Sequence, residues 1–206
     1  MALNHGMITT IIFDIGEVCL QGVFGVEHTL APILKAPPKE IYEKTQGEEL
    51  IALLKGEISE EEFIKKIIKK NKWKISTELF KKLIRENFRE IRGVRPIIEE
   101  LKNKGYKLGL LSIHAKEWVD YCDKKFDYHK LFHSKLYSFE VALLKPDKRV
   151  YQLILKKLNK PPEECLFIDD HPKNIIAANE LGINTIQFKD AEQLKADLKK
   201  FRIKIS

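Results

Sequence analysis

The run Ile8-Thr9-Thr10-Ile11-Ile12-Phe13 gives way at once to Asp14-Ile15-Gly16-Glu17-Val18. A short β-branched and aromatic run of this kind suits a strand buried on both faces, the kind found inside parallel sheets. An acid placed directly after the last apolar residue then stands at the strand's carboxyl end. Open parallel sheets bind their ligands there.

Working outward, the chain changes character twice. From Leu20 to Arg92 the patterning is helical with few strand signals. Ser59-Glu60-Glu61-Glu62 has the form of a capping box, and Phe63, Ile64, Ile67 and Ile68 make one apolar helical face. A second helix is expected from Thr77 to about Ile91, with Leu79, Phe80, Leu83, Ile84 and Phe88 inward. After Gly93 a helix–glycine–strand unit recurs. Ile97, Ile98 and Leu101 mark a helix ended by Gly105, before the strand-like residues 107–112. Val150, Tyr151, Ile154, Leu155 and Leu158 mark another, with Asp147 as a candidate N-cap, before residues 165–169. Ile175, Ile176 and Leu181 mark a third, closed by Gly182 and leading into residues 184–188. Alternation of this kind predicts an α/β fold: an open, parallel, Rossmann-like sheet wrapped by helices. Residues 1–19 and 93–206 are assigned to the α/β core, and residues 20–92 to a helical cap inserted after the first strand.

Length and composition agree with one domain plus an elaboration: 206 residues, 44% hydrophobic and 33% charged. Cys19, Cys122 and Cys165 are scattered and odd in number, which argues against a disulfide framework and fits a reducing compartment. No run approaches the ~20 apolar residues of a membrane span. The opening MALNHGMITT lacks the charged start and apolar run of a signal peptide, and Met7 is an alternative start; a cytoplasmic location is expected. The net charge of +7 suits phosphorylated substrates or a nucleic-acid surface. Between Lys65 and Arg85 nine basic residues face one acid, Glu78. A solvated helix face is the plain reading of that run. Nucleic-acid binding is disfavoured because the run shows no regular interleaving of aromatic and basic residues.

Three predicted strands end in polar residues: Asp14, Ser112, and Asp169-Asp170. Lys145-Pro146-Asp147 opens a helix. Together they offer a nucleophile, a hydroxyl, an ammonium and an acidic pair, a set able to bind phosphate beside a divalent cation. Each alone has an ordinary explanation. Asp14 could be a turn residue, Ser112 a helix N-cap, Lys145 a solvent-exposed side chain, Asp170 the N-cap of a helix starting near Pro172, and His114 a surface loop residue. His5, His28, His129, His133 and His171 show no metal-ligand spacing, and Trp73 and Trp118 read as packing residues.

Taken in order, Phe13-Asp14-Ile15-Gly16-Glu17-Val18, Leu111-Ser112, Leu144-Lys145-Pro146-Asp147, and Phe167-Ile168-Asp169-Asp170 with Asn174 resemble the four motifs of the haloacid dehalogenase-like superfamily. The branch they most resemble contains the bacterial α-D-glucose-1-phosphate phosphatase-like proteins and the N-terminal phosphatase domain of epoxide hydrolases. The resemblance implies a phosphatase acting on a small phosphorylated metabolite, a sugar phosphate being one candidate, through an aspartyl-phosphate on Asp14 with Mg2+. It implies phosphate binding by Ser112, the Ile113 amide and Lys145, and metal binding by Asp14, the Gly16 carbonyl and Asp170. Asn174 becomes a supporting neighbour, while Asp169 falls where many members have glycine and its role is open.

Two positions depart from the usual pattern. Gly16 replaces the second acid of the first motif, which protonates the leaving group; losing such help typically costs about 10²–10⁴-fold. The glucose-1-phosphate phosphatase-like group shares that glycine. Ser112-Ile113-His114 replaces a frequent Ser-Asn, which makes His114 a candidate proton donor. A catalytically degraded member that binds a phosphorylated ligand or a protein partner is the competing reading. Dehalogenation is disfavoured, because Lys145, the acidic pair and Asn174 suit a metal site that dehalogenases of this fold do not need.

Overall fold

The computed structural model describes residues 7–206; the expectations resting on residues 1–6, including His5 and the first six residues assigned to the core, lie outside it. Along the chain the elements are β1 (Thr10–Phe13), β2 (Leu20–Gln21), α1 (Val26–Leu34), α2 (Pro38–Thr45), α3 (Glu48–Leu54), α4 (Glu60–Asn71), α5 (Thr77–Asn87) and β3 (Arg89–Glu90). There follow α6 (Val94–Asn103), β4 (Lys107–Ser112), α7 (Lys116–Phe126), β5 (Ser134–Tyr137), α8 (Ser138–Val141) and α9 (Lys148–Leu158). The last are β6 (Cys165–Asp169), α10 (Pro172–Asn179), β7 (Asn184–Gln187) and α11 (Ala191–Lys200).

Every residue of β1 is buried, because the strand lies in the middle of a parallel sheet ordered β5-β4-β1-β6-β7. Phe13 pairs with Leu110 on one side and Ile168 on the other. The chain leaves β1 for β4 and β5 on one flank and returns to β6 and β7 on the opposite flank. Strand order therefore reverses at β1, which creates the crevice typical of doubly wound sheets. Alternation does the rest: Ile11 and Phe13 enter a core shared with α6, α7 and α11, whereas Ile12 and Phe167 enter one shared with α9 and α10.

The helical segment after the first strand is α1–α5, and its entry and exit strands pair. Leu20 and Gln21 run antiparallel to Glu90 and Arg89. This ribbon explains why the helix expected to reach about Ile91 stops at Asn87. Phe88 is already extended, and the Asn87 amide donates to the carbonyls of Gly22 (2.7 Å) and Phe24 (2.9 Å). Ser59 accepts the Glu62 amide, as its sequence suggests, and Asp147 caps α9 through the Arg149 amide. β5 went unread because Ser134-Lys135-Leu136-Tyr137 holds only two apolar residues, both buried on an edge strand. Much of the basic run between Lys65 and Arg85 is paired at the surface, for example Lys65 with Glu61 and Lys70 with Glu49. No helix of the described residues is long and apolar enough to cross a membrane.

Gly109 lets α9 press onto the sheet. A Cβ there would lie 2.8 Å from Leu158 Cδ1 and 3.3 Å from Ile12 Cγ1, both in fully packed surroundings. Gly109→Val is therefore expected to destabilise the protein by about 1–3 kcal/mol through overpacking. Urea denaturation should show this, and Leu158→Ala should recover part of the loss in the double variant.

Candidate active site

Asp14 continues the β1 ladder, its amide donating to the Ile168 carbonyl at 2.9 Å, so its side chain emerges between the ends of β4 and β6. One carboxylate oxygen accepts the Ile15 amide at 2.7 Å, and the other lies 2.8 Å from Lys145 Nζ. Lys145 is buried, and its ammonium spends all three protons on fixed acceptors: Asp14 Oδ2, Asp169 Oδ2 at 2.7 Å and the Leu111 carbonyl at 3.1 Å. Burial alone would push this lysine down, but the two carboxylates outweigh it and hold its pKa above the ordinary value. Burial raises the Asp14 carboxyl above the usual carboxylate range; Lys145 pulls it back, and the neighbouring Asp169 adds to the rise.

The two acids at the end of β6 have different environments. Asp169 is fully buried and saturated: besides Lys145 it accepts the His171 amide (2.8 Å) and both of its oxygens accept from Asn174 Nδ2 (3.0 and 3.1 Å). Asp170 is half-buried, lines the same cavity as Asp14 and Gly16, and has no ion pair among the described residues. Its carboxyl is raised by burial and by Asp169. Oxygens of Asp14, Asp169 and Asp170 lie within 4.8 Å of one another. An all-oxygen set of this size suits a hard divalent cation. With Asp169 committed elsewhere, Asp14 and Asp170 are the carboxylates left for one.

The ordinary explanations for these residues find no support in the geometry. Ser112 caps no helix, since α7 starts after Ala115, and α10 is capped by His171 rather than Asp170. Lys145 is buried rather than exposed. Ser112 Oγ is buried beside Asp14, whose carboxyl it helps to lower, and like Thr10 Oγ1 and His114 Nδ1 it makes no well-formed hydrogen bond among the described residues. A buried hydroxyl left unsatisfied is costly, about 1–3 kcal/mol, and calls for a ligand or water. A Cβ added at Gly16 would meet nothing within 4 Å, and the backbone there is not left-handed. The steric obstacle that a glycine at this position suggests is absent.

His114 is corrected in two respects. It is buried, packed between Phe88 and Trp118 (ring centroids 5.9 and 5.7 Å away) rather than exposed in a loop. Burial, helped by Arg85 and Lys145, lowers its pKa to about 4. At neutral pH the ring is uncharged, so it holds no imidazolium proton to give a leaving group.

Several residues around the site were not legible in the sequence. Glu17 lines the cavity with φ +56°, its carboxylate accepting the Gly22 amide at 2.8 Å. Buried Glu60 joins the helical segment to the core: it takes both Arg85 nitrogens (2.6 and 2.5 Å) and the Trp118 indole N–H (2.6 Å). The glutamate stands inside an acidic triplet that reads as an ordinary helix start, and nothing local marks it.

A family model for the haloacid dehalogenase-like hydrolases matches residues 11–188, spanning all five strands of the sheet. The chain belongs to this family. It is 29% identical over 155 residues to the phosphorylated carbohydrates phosphatase of Thermotoga maritima, 71% of each chain. It is 27% identical over 116 residues to the rat bifunctional epoxide hydrolase 2, which covers 52% of this chain and 20% of that one. A family enzyme of Bacteroides thetaiotaomicron, solved with magnesium and inorganic phosphate, superposes with a TM-score of 0.77 at 22% identity, covering 89% of this chain and 95% of the other.

The neutral state of His114 has a measurable consequence. Its folded pKa lies below the unfolded value, so the unfolded chain binds the extra proton first. That component of stability is complete above about pH 6.5 and is lost as pH falls towards about 4, a range worth about 3 kcal/mol. His114→Phe removes it. The unfolding free energy of the variant, relative to the parent, should improve by up to that amount between pH 6.5 and 4. Asp14 titrates with the opposite sign in both proteins and cancels in the difference.

Proposed function

We propose that this protein hydrolyses a small phosphate monoester, with Asp14 attacking phosphorus. The observation that carries this reading is Asp14 itself: a carboxylate at the carboxyl end of the central strand, fixed by the Ile15 amide and Lys145, and facing a cavity. Attack by the free lone pair of the carboxylate forms an aspartyl-phosphate and breaks the bond from phosphorus to the leaving oxygen. Water then attacks phosphorus and releases Asp14, so one difficult displacement becomes two easier ones. Lys145 offsets negative charge on Asp14 and on the incoming phosphoryl group. Ser112, whose hydroxyl lies beside Asp14 with no well-formed hydrogen bond of its own, and the Ile113 amide receive phosphoryl oxygens. Magnesium would be held by Asp14, the Gly16 carbonyl and Asp170, and supplies positive charge that eases the approach of carboxylate to phosphate. Asn174 and Asp169 fix the lysine and the β6 end beneath it. The Thermotoga relative, by its name, acts on phosphorylated carbohydrates, and the Bacteroides structure holds magnesium and phosphate; both support the reading.

Glycine at position 16 and the neutral ring of His114 leave neither of these two positions with an acidic proton for the leaving oxygen. This favours substrates whose leaving group departs without a proton. It also sustains a second reading, in which the chain binds a phosphorylated ligand or a protein partner and turns it over hardly at all. Aryl phosphate hydrolysis with magnesium separates the two. The parent should turn over, Asp14→Asn should fall to background, and acid-quenched protein should carry a phosphoryl group on the Asp14 peptide. A parent no faster than Asp14→Asn would establish the binding reading instead.

Two further variants probe the same site. Gly16→Asp, which the open space permits, should raise kcat for alkyl phosphates by about 10²-fold or more and change aryl phosphates far less. An unchanged alkyl rate in a folded, magnesium-binding variant would mean that the proton comes from elsewhere. Asp170→Asn should raise the magnesium concentration needed for half-maximal activity by an order of magnitude or more, with little change in thermal stability.

A further inference from the structure

Above Asp14 the site opens into a cavity of about 290 Å³, at the lower end of the range for small-molecule sites. Its inner end carries the charged groups already described. The rest is walled by side chains that the helical segment and α7 bury around it, among them Ile41, Phe63, Phe80, Ile84 and Trp118. Apolar surface predominates on this wall, and several of its polar groups are already engaged. Trp118 turns its N–H away to Glu60, and Thr45 Oγ1 donates to the Tyr42 carbonyl. Glu17 and Glu27 accept the amides of Gly22 and Gly25. At the rim Phe24 and Tyr42 stand exposed (52% and 37%) with rings 5.9 Å apart, an unusual outlay of aromatic surface unless something covers it.

We infer that the part of the substrate beyond the phosphate is a compact hydrocarbon group, aryl-sized, and not a sugar. This rests on the phosphatase reading above and specifies its substrate class. A sugar placed here would strip water from several hydroxyls and find few free partners, whereas a hydrocarbon body buries its surface against the wall without that loss. The chemistry of the bond is compatible with this: with glycine at position 16, an aryl oxygen, which leaves as a stabilised phenolate, suits the site better than an ordinary alkoxide.

A series of 4-alkylphenyl phosphates, from methyl to pentyl, tests this, since the leaving-group acidity stays nearly constant while apolar area grows. In the presence of magnesium, kcat/KM should rise by up to about fourfold per added methylene until the cavity is filled. Glucose 6-phosphate should be a poorer substrate than any member. Phe24→Ser, at an exposed position where folding is not at stake, and Leu54→Gln, on the wall, should each flatten the pentyl-to-methyl ratio. The matching 4-alkylbenzylphosphonates cannot be hydrolysed, and calorimetric titration should show their Kd falling along the same series. A flat series in both measurements, or a higher kcat/KM for glucose 6-phosphate, overturns the inference and leaves the phosphatase reading standing. Phosphonates that bind with the expected trend while no phosphate ester turns over would support the apolar site and refute the phosphatase reading.

Discussion

Three acceptors converge on the Lys145 ammonium, and each comes from a different strand end: Asp14 after β1, Leu111 near the end of β4, and Asp169 on β6. Burying an ammonium this completely is tolerable only when every proton is matched, and here the match ties the sheet's carboxyl edge together. Removing any one partner would leave one ammonium proton unmatched at the inner end of the cavity. The arrangement also sets the electrostatics of Asp14. The lysine draws the carboxyl towards its ionised form, against burial and the Asp169 carboxylate, which both favour the proton. The proposed nucleophile and the fold's central tie are thus one cluster.

How much of this was legible in the sequence depends on the range of the interaction. β1, β4 and β6 could be read because each is an apolar run bounded by a glycine or an acid, and β7 because it follows a helix closed by Gly182; the parallel sheet followed from their alternation with helices. The ordered motifs place Asp14, Ser112, Lys145 and Asp170 at one edge of the sheet from the sequence alone. Elements that depend on a distant partner were invisible. β5 is a strand because β4 has a free edge, and the β2–β3 ribbon exists because residues some seventy positions apart meet. The difference between Asp169 and Asp170 was not legible either, since adjacent carboxylates look alike until one of them finds Lys145 and Asn174. His114 was misjudged for a related reason: its ring is packed by Trp118, one helical turn on, but also by Phe88, which is remote in sequence.

Gly16, the ring of His114 and the apolar wall are three unrelated observations that bear on one question. The first removes an acid, the second withholds a proton at neutral pH, and the third withholds hydrogen-bonding groups. In the proposed reading such a site recognises the phosphoryl end of its substrate by charge and the remainder by shape and apolar contact. A bound apolar group that displaces water would strengthen each charge interaction around Asp14, because the same pairs are worth more where the dielectric is low.

The β2–β3 ribbon has a consequence for the economy of the chain. Because the ends of the helical segment are pinned side by side, the sheet sees that segment as a closed loop of fixed span, whatever its contents. The entropy of closing a flexible loop grows only with the logarithm of its length, about 0.6 kcal/mol for each doubling, which is less than a typical hydrogen bond contributes. The sheet is therefore nearly indifferent to how long the segment is or how its helices are arranged. Those helices supply most of the apolar wall around the cavity, so the wall can be remade, by lineage or by design, while the strand ends that surround Asp14 stay where they are.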